Sequence, residues 1–293
     1  MKKLLFYTFI WFYHLSALAQ TKQDKATLID AAWVRVKLGK GLAWYHFHFV
    51  DNQLFQSNQN IHYVKIAPKG QKKYRLSLVS AGDSLVKTSK LAQQAGAIAA
   101  INGSFFDVKN GGAVDFIKVN GVILDTSRLD AKGKLTFHQK SGLVIQNNKV
   151  SIVRQTDSLD LKWSDKLKYD NVLVTGPLLL WQGDSVPLSK IAFNDNRHPR
   201  SCACITEKSE LILLTVDGRT AQSQGLNLHE LTFLMKTLGC RDAVNFDGGG
   251  STTMYIAEQP SGGVVNMPCD NKLFDHEGER KVSNIFAIQK NKK

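Results

Sequence analysis

Cysteine is scarce in this sequence, and none of it is spaced for a metal. Four occur in 293 residues, Cys202, Cys204, Cys240 and Cys269, with no C-x-x-C pair and no histidine-rich neighbour. Zinc-ribbon and dithiol redox chemistry therefore lack their ligand sets. Basic residues are not interleaved with aromatic ones. The 38 Lys and Arg against 25 Asp and Glu leave a net charge of +13, a balance that suggests a polyanion. The lysines are scattered, however, over Lys69, Lys72 and Lys73, then Lys162, Lys166 and Lys168, then Lys290, Lys292 and Lys293. No nucleic-acid platform forms from them, and they read as a solvated surface with some attraction for anionic substrates or the cell envelope. Internal repeats, low-complexity tracts and a Pro/Gly/Ser linker are also missing. Beyond the first twenty residues no apolar run approaches the ~20 residues that cross a bilayer.

That first stretch is itself informative. Lys2 and Lys3 precede an apolar run from Leu4 to Leu18, and Ala17-Leu18-Ala19 supplies a small-x-small cleavage pattern. This is the order of a secretory signal. Its His14 and Ser16 argue against the alternative, an uncleaved anchor. The expectation is a signal peptide over 1–19 and an exported chain over 20–293, placed in the periplasm, at the cell surface or in the medium, with no stable membrane span. Cys202 and Cys204 lie two apart in an apolar run and so share one strand face; buried free thiols are the first reading for the cysteines and a disulfide the second.

Period-two patterning dominates from Trp33 to about Ala81, as in Ala43-Trp44-Tyr45-His46-Phe47-His48-Phe49, and predicts strands joined by polar turns. His46 and His48 read as structural, and the eight histidines form no cluster in the sequence. Leu85 to Ala95 predicts a short helix with Thr88 or Ser89 as its N-cap and Gly96 as its stop. Ala97 to Ile101 is a buried strand, Phe137 to Val153 a hairpin turning at Asn147-Asn148, and 157–170 an irregular insertion. Leu228, Leu231, Leu234, Met235 and Leu238 mark the best helix, closed by Gly239. The fold class is mixed α/β, or α+β: one strand-rich domain with mixed sheets, few helices and a cleft where strands end. Its part over 30–96 is strand-rich, and the stretch before Lys90 carries no distinctive motif.

Three predicted strands end alike, in a polar residue followed by glycine: Asn102-Gly103-Ser104, Asp217-Gly218-Arg219 and Asp247-Gly248-Gly249-Gly250-Ser251. One Asp-Gly is an ordinary turn; three strand ends of this kind suggest a shared binding edge. Asn245 and Asp247 fall on one face of their strand, with Val244 and Phe246 on the other. Three successive glycines suggest backbone N–H groups approaching a ligand oxygen.

These residues sit in an ordered series that resembles the phosphodiester glycosidase family. The series runs Ala99-Ala100-Ile101-Asn102-Gly103-Ser104-Phe105-Phe106-Asp107, Thr175-Gly176-Pro177, Arg197-His198-Pro199-Arg200-Ser201, Thr215-Val216-Asp217-Gly218-Arg219, Leu228-His229-Glu230-Leu231, the Asp247 glycine run and Arg280-Lys281-Val282-Ser283-Asn284. It covers roughly residue 97 to the C-terminus. The resemblance implies hydrolysis of a sugar-1-phosphodiester or a related glycosidic bond. Such cleavage needs a carboxylate at the anomeric carbon and a second acid or base, and Asp247 and Asp217 are the two candidates. Glu230 is a third, although a carboxylate in a first helical turn also complements the helix dipole. Arg200, Arg219 and Arg280 are candidates to clamp phosphate. Asn102, Asn245, Gly248, Gly249, Gly250 and Ser251 are candidates for substrate contact, and the family match adds Asp107 and Asn284. The sequence singles out no cofactor and leaves a metal requirement open; the aspartates are compatible with Ca²⁺ or Mg²⁺. The partner is a sugar phosphodiester or an exported polysaccharide, and no nucleic acid. A metal-dependent phosphodiesterase and a non-catalytic envelope protein that binds polysaccharide are the rival readings. N-terminal sequencing of protein recovered from its native host should begin near Gln20; an intact Met1 would remove the export reading.

Overall fold

The computed structural model describes residues 21–291; the expected signal peptide lies outside them. An eight-stranded sheet runs from edge to edge through Val34–Gly39, Leu42–Leu54, Ser57–Ile66, Leu211–Val216, Arg200–Thr206, Cys240–Asn245, Leu178–Trp181 and Asp184–Ser185. A four-stranded sheet orders Met254–Ile256, Ala97–Asn102, Asn284–Lys290 and Tyr74–Ser80. A five-stranded sheet orders Lys149–Arg154, Ser141–Gln146, Asn171–Val174, Ile117–Val119 and Val122–Asp125. The ladders between these strands are antiparallel.

Alternation decides which side chains meet. In the long strands Leu42, Trp44, Val64, Ile66, Leu211, Leu213 and Val244 face inward, onto Leu76, Ile101, Phe286 and Ile288 of the four-stranded sheet and Leu143 and Ile145 of the five-stranded one. The opposite parity, including Phe49, Ile61, Ile212, Cys202 and Cys204, packs under the helix Leu228–Thr237 and against Leu28 from the helical stretch 21–30. Each fully buried Leu, Ile or Phe of this kind contributes roughly 1.5–3 kcal/mol. The segment 157–170, expected to be an irregular insertion, puts Trp163 over the outer face of the five-stranded sheet beside Phe116 and Val144. Its indole N–H bonds Gln139 O at 2.9 Å.

The helix Leu228–Thr237 starts on a capping box, Asn227 with Glu230, and is followed by Gly239 at φ +82°. The hairpin turns on Asn147 and Asn148, both left-handed at φ 51° and 58°. The helix Thr88–Gln94 differs from expectation at its start. Lys87 is its N-cap and makes no side-chain cap bond, since an ammonium cannot accept a helix N–H; Ser89 is turned to Glu279, whose carboxylate takes both its N–H and its hydroxyl. His46 and His62 pair across neighbouring strands and stack at 5.6 Å, a proximity between distant residues that spacing alone does not reveal. Burial pushes His62 down to about 3, so this ring is neutral.

Cys204 and Cys240 form a disulfide, which corrects the free-thiol reading for that pair; Cys202 and Cys269 are free and buried. The bridged residues sit on adjacent antiparallel strands, a pairing that the spacing of Cys202 and Cys204 within one strand does not reveal. Closing a loop with 36 residues of sequence separation stabilises by about 3–4 kcal/mol in the chain-entropy account. Reduction should therefore lower Tm, at about 2–4 °C per kcal/mol for a chain of this size. A Cys204→Ser/Cys240→Ser variant should melt low with or without reductant, and a wild type whose Tm ignores full reduction would contradict the bridge's role.

Candidate active site

Asp217 follows the last residue of the Leu211–Val216 strand and is 1% exposed. Its carboxylate accepts from Asn60 Nδ2 at 2.8 Å, Asn266 Nδ2 at 2.7 Å and the Met267 N–H at 3.0 Å. Burial pushes the carboxyl up to about 6, with the Asn266, Met267 and Asn60 donors pulling the other way. Both oxygens are thus engaged, and they tie the Ser57–Ile66 strand and the 266–267 segment to one strand end.

Asp247 follows the end of the Cys240–Asn245 strand and is held differently. Its N–H donates to Gly103 O at 3.0 Å, and its carbonyl accepts Asn102 Nδ2 at 2.7 Å. Asn102 is itself fixed, since its Oδ1 accepts Ser201 Oγ at 2.6 Å. Asn284 fixes the other side by accepting the Ser104 N–H at 2.9 Å, while its carbonyl takes the Gly103 N–H at 3.0 Å. Asn245 donates to Gly176 O and Phe246 O at 2.9 and 2.6 Å. Four neighbouring polar side chains therefore immobilise this strand end, and the half-buried carboxylate accepts its own Gly248 N–H at 2.9 Å. Burial pushes Asp247 up to about 6; Ser251, the Gly248 N–H and the Arg280 charge restrain the rise, and the Asp115 charge adds to it.

Each glycine after Asp247 makes room for a different protein group. A Cβ on Gly248 would stand 2.6 Å from Pro199 O, one on Gly249 (φ +61°) 3.0 Å from Arg219 Nη2, and one on Gly250 would run into Asp270 Oδ1 and stand 2.6 Å from Arg280 Nη2. The close approach implied by three glycines is thus made by a carbonyl, the Arg219 guanidinium and the Arg280–Asp270 ion pair. Pro199 is wedged between Gly218 and Gly248, and Asn266 bonds both Asp217 and Thr252 O. Through these contacts the two aspartate segments meet.

The arginines divide by environment. Arg200 is 1% exposed and spends Nε on Leu226 O at 2.9 Å and Nη2 on Phe193 O and Asn196 O at 2.6 and 3.0 Å. Burial, helped by the Arg219 charge, lowers it to about 9. It braces the 193–200 turn. Arg280 grips Asp270 with two bonds, 3.1 and 2.6 Å. Arg219 is exposed, at φ +66°, and forms no ion pair among the described residues. Glu230 lies apart from this network: its carboxylate takes Arg197 at 2.5 Å and the Asn227 N–H at 3.0 Å. Asp107 also stands aside, bonding Lys109 and Asn110 within its own loop and Arg128 from beyond the Val122–Asp125 strand, contacts that hold its carboxyl well below the usual range, with Asn110 foremost.

One pair escaped the sequence reading. Asp115, 0% exposed, meets His138 Nδ1 at 3.0 Å. The His138 ring lies 4.2 Å from that of Phe105, two residues past Gly103, and the His138 main chain packs on Gly176, whose carbonyl Asn245 binds. Phe193 joins the wall at 5.9 Å from Phe105. The dyad is 23 residues apart with no motif around His138, so no spacing rule points to it. Nearby, the Thr252 and Thr253 hydroxyls and Asn245 Oδ1 are buried without a protein partner. Among the described residues no three His, Cys, Asp or Glu side chains gather as a metal site, and no helix is long and apolar enough to cross a membrane.

The family model described as phosphodiester glycosidase matches residues 95–289. An uncharacterized SPbeta prophage-derived protein of Bacillus subtilis is 27% identical over 97 residues, 32% of this chain and 15% of that protein. The N-acetylglucosamine-1-phosphodiester alpha-N-acetylglucosaminidase of Bos taurus is 32% identical over 84 residues, 28% of this chain and 15% of that protein. The matches thus span well under a fifth of either curated relative. The catalytic domain of the zebrafish enzyme of the same name, auto-inhibited by its pro-peptide, superposes with a TM-score of 0.64 over 85% of this chain and 83% of that one, at 17% identity. That likeness is one of fold.

The raised carboxyls have a thermodynamic signature. A carboxyl lifted from 3.8 to about 6 contributes stability that is complete below the unfolded value and is lost as pH rises through the folded one. Asp247→Asn removes that loss. In urea melts across this range the variant should gain on the wild type as pH rises from about 4 through 6; parallel profiles would mean that Asp247 titrates normally.

Proposed function

The chain belongs to the phosphodiester glycosidase family, and on that premise we propose that it is an exported hydrolase cleaving the glycosidic C–O bond of a sugar-1-phosphodiester in a cleft where its strands end. The observation that carries the reading is the setting of Asp247: a strand end fixed through its main chain, with its carboxylate beside Gly248, Ser251 and Arg280 and with Arg219 on the adjoining glycine. Charge placed so rigidly can act on developing positive charge at an anomeric carbon without first reorganising.

Water adds to C1 as the C1–O bond breaks, and the phosphomonoester leaves with the bonding pair. A phosphate leaving group needs little protonation and is best met by cations, a role assigned to Arg219 and Arg280. His138 takes the proton from the attacking water; Asp115 holds Nδ1 and leaves Nε2 as the acceptor. Asp217 serves as a positioning residue, since its oxygens are occupied by Asn60, Asn266 and Met267. Arg200, Glu230 and Asp107 brace the surrounding turns. Asn102, Asn245 and Asn284 hold Asp247 in register. The basic, arginine-bearing strand ends suit the sugar phosphodiester for which the bovine relative is named, and the Cys204–Cys240 bridge suits an oxidising, extracytoplasmic setting.

Asp247→Asn should lower kcat by ~10²–10⁴ on a model diester, with Tm close to wild type. Arg280→Ala should act chiefly on KM, because a phosphate clamp holds ground and transition states alike. The wild-type rate should climb with pH through about 6 as Asp247 ionises. In ¹⁸O-labelled water the label should enter the sugar; label in the phosphate would establish P–O cleavage instead, and a near-normal kcat in Asp247→Asn would remove that residue from the chemistry.

A further inference from the structure

A groove of about 990 Å³ opens at the opposite end of the strands that carry Asp247. Arg241 and Asp242, at the start of the Cys240–Asn245 strand, line it, whereas Asp247 lies just past that strand's other end. At ~3.3 Å per residue the two places are roughly 15–20 Å apart. Its floor and rim include Lys72, Arg75, Lys149, Trp181 and Gln182. A smaller hollow of about 290 Å³ adjoins it past the hairpin turn, shares Arg75, Asn147 and Asn148, and carries one carboxylate of its own, Asp170.

The charge in this groove is one-sided. Asp242 is its carboxylate, and both oxygens are taken: the Gln182 N–H donates to one at 2.8 Å and Arg241 to the other at 2.8 Å. Lys72, Arg75 and Lys149 are exposed and form no ion pair among the described residues. Arg154 lies over the Trp181 ring at 4.8 Å and adds a further cation at the edge. Three like charges left unpaired around one concavity repel one another, and an anionic guest relieves that repulsion.

We propose that this groove is a non-catalytic binding site for an anionic carbohydrate strand several sugars long. The unpaired cations meet carboxylate, sulfate or phosphate groups. The half-buried Trp181 offers an apolar edge to a sugar ring, and the carboxamides of Gln182 and Asn147 reach hydroxyls. The volume lies at the upper end of small-ligand pockets, which favours an oligomer over a single sugar. Single-stranded nucleic acid fits less well, because its platforms use several aromatic faces in succession and Trp181 is the one aromatic residue of this groove. The site stands apart from Asp247 and does not rest on the hydrolytic reading.

Calorimetric titration of the mature chain tests it at physiological salt, with oligogalacturonate, heparin oligosaccharide, neutral dextran oligosaccharide and oligo-dT as probes. At least one acidic oligosaccharide should bind, dextran should not, and the choice between the two acidic probes reports whether carboxylate or sulfate is preferred. Arg75→Glu/Lys149→Glu should weaken binding by about tenfold or more while leaving Tm and diester hydrolysis unchanged. Trp181→Ala should weaken it too; if that variant fails to fold, the charge reversal decides alone. The proposal is overturned if neither acidic probe binds at about 1 mM, if charge reversal leaves the affinity intact, or if oligo-dT binds more tightly than both sugars.

Discussion

Two hydrogen bonds on the main chain of Asp247 join the eight-stranded sheet to the four-stranded one: its N–H reaches Gly103 O, and its carbonyl takes the Asn102 side chain. Below this junction the facing sheets pack through apolar side chains such as Ile101, Phe246 and Phe286. Above it the chain has to leave both sheets, and strand ends buried there carry peptide groups that no ladder satisfies. Leaving one such group unpaired costs about 1–3 kcal/mol, so the buried asparagines and Ser201 at this level are what allow two strand ends to stop beside each other. The rigid setting of the Asp247 carboxylate is a by-product of that requirement. A carboxylate that protrudes from a doubly anchored backbone has little freedom left to lose.

The strand ends were legible in the sequence because each couples an apolar run to a polar residue and a glycine. Asn102, Asp217 and Asp247 stood out on that ground, and the structure brings their segments together. The glycine run was legible as a place of close approach, but not what approaches: Pro199 is 49 residues before Gly248, and local sequence carries no trace of that contact. Glu230 was ambiguous for a physical reason, since a capping carboxylate and a catalytic one look alike until a partner such as Arg197 is seen. Arg200 looked like a clamp because its motif carries charge; only burial shows that its donors are spent on carbonyls. Asp115 and His138 were invisible because their meeting depends on the packing of a loop against a short 3₁₀ turn. The basic groove was hidden likewise, as its cations come from four separate strands and turns.

Charge of one sign at two distant places on one scaffold also bears on how the molecule stays folded. At the strand ends near Asp247 the Arg280 charge is offset by Asp270. Around Trp181 Arg241 is paired with Asp242, and Lys72, Arg75 and Lys149 form no ion pair among the described residues. Repulsion there falls on exposed lysines and one arginine, where water and salt screen it, while the buried Asp242 is fully satisfied. The sheet can carry this imbalance because its apolar faces and the Cys204–Cys240 bridge do not depend on those residues.

Asn284 belongs to a strand that lies between Tyr74–Ser80 and Ala97–Asn102 and pairs with both. A chain that emerges N-terminus first therefore holds its 74–80 and 97–102 segments apart until residues 284–290 have arrived. Gly103 and Ser104 have no asparagine to settle against before then, although Asp247 precedes it in the chain. The last anchor is set by a strand that follows every segment it braces, so a nascent chain that has already delivered Asp247 still lacks the fixed strand ends around it.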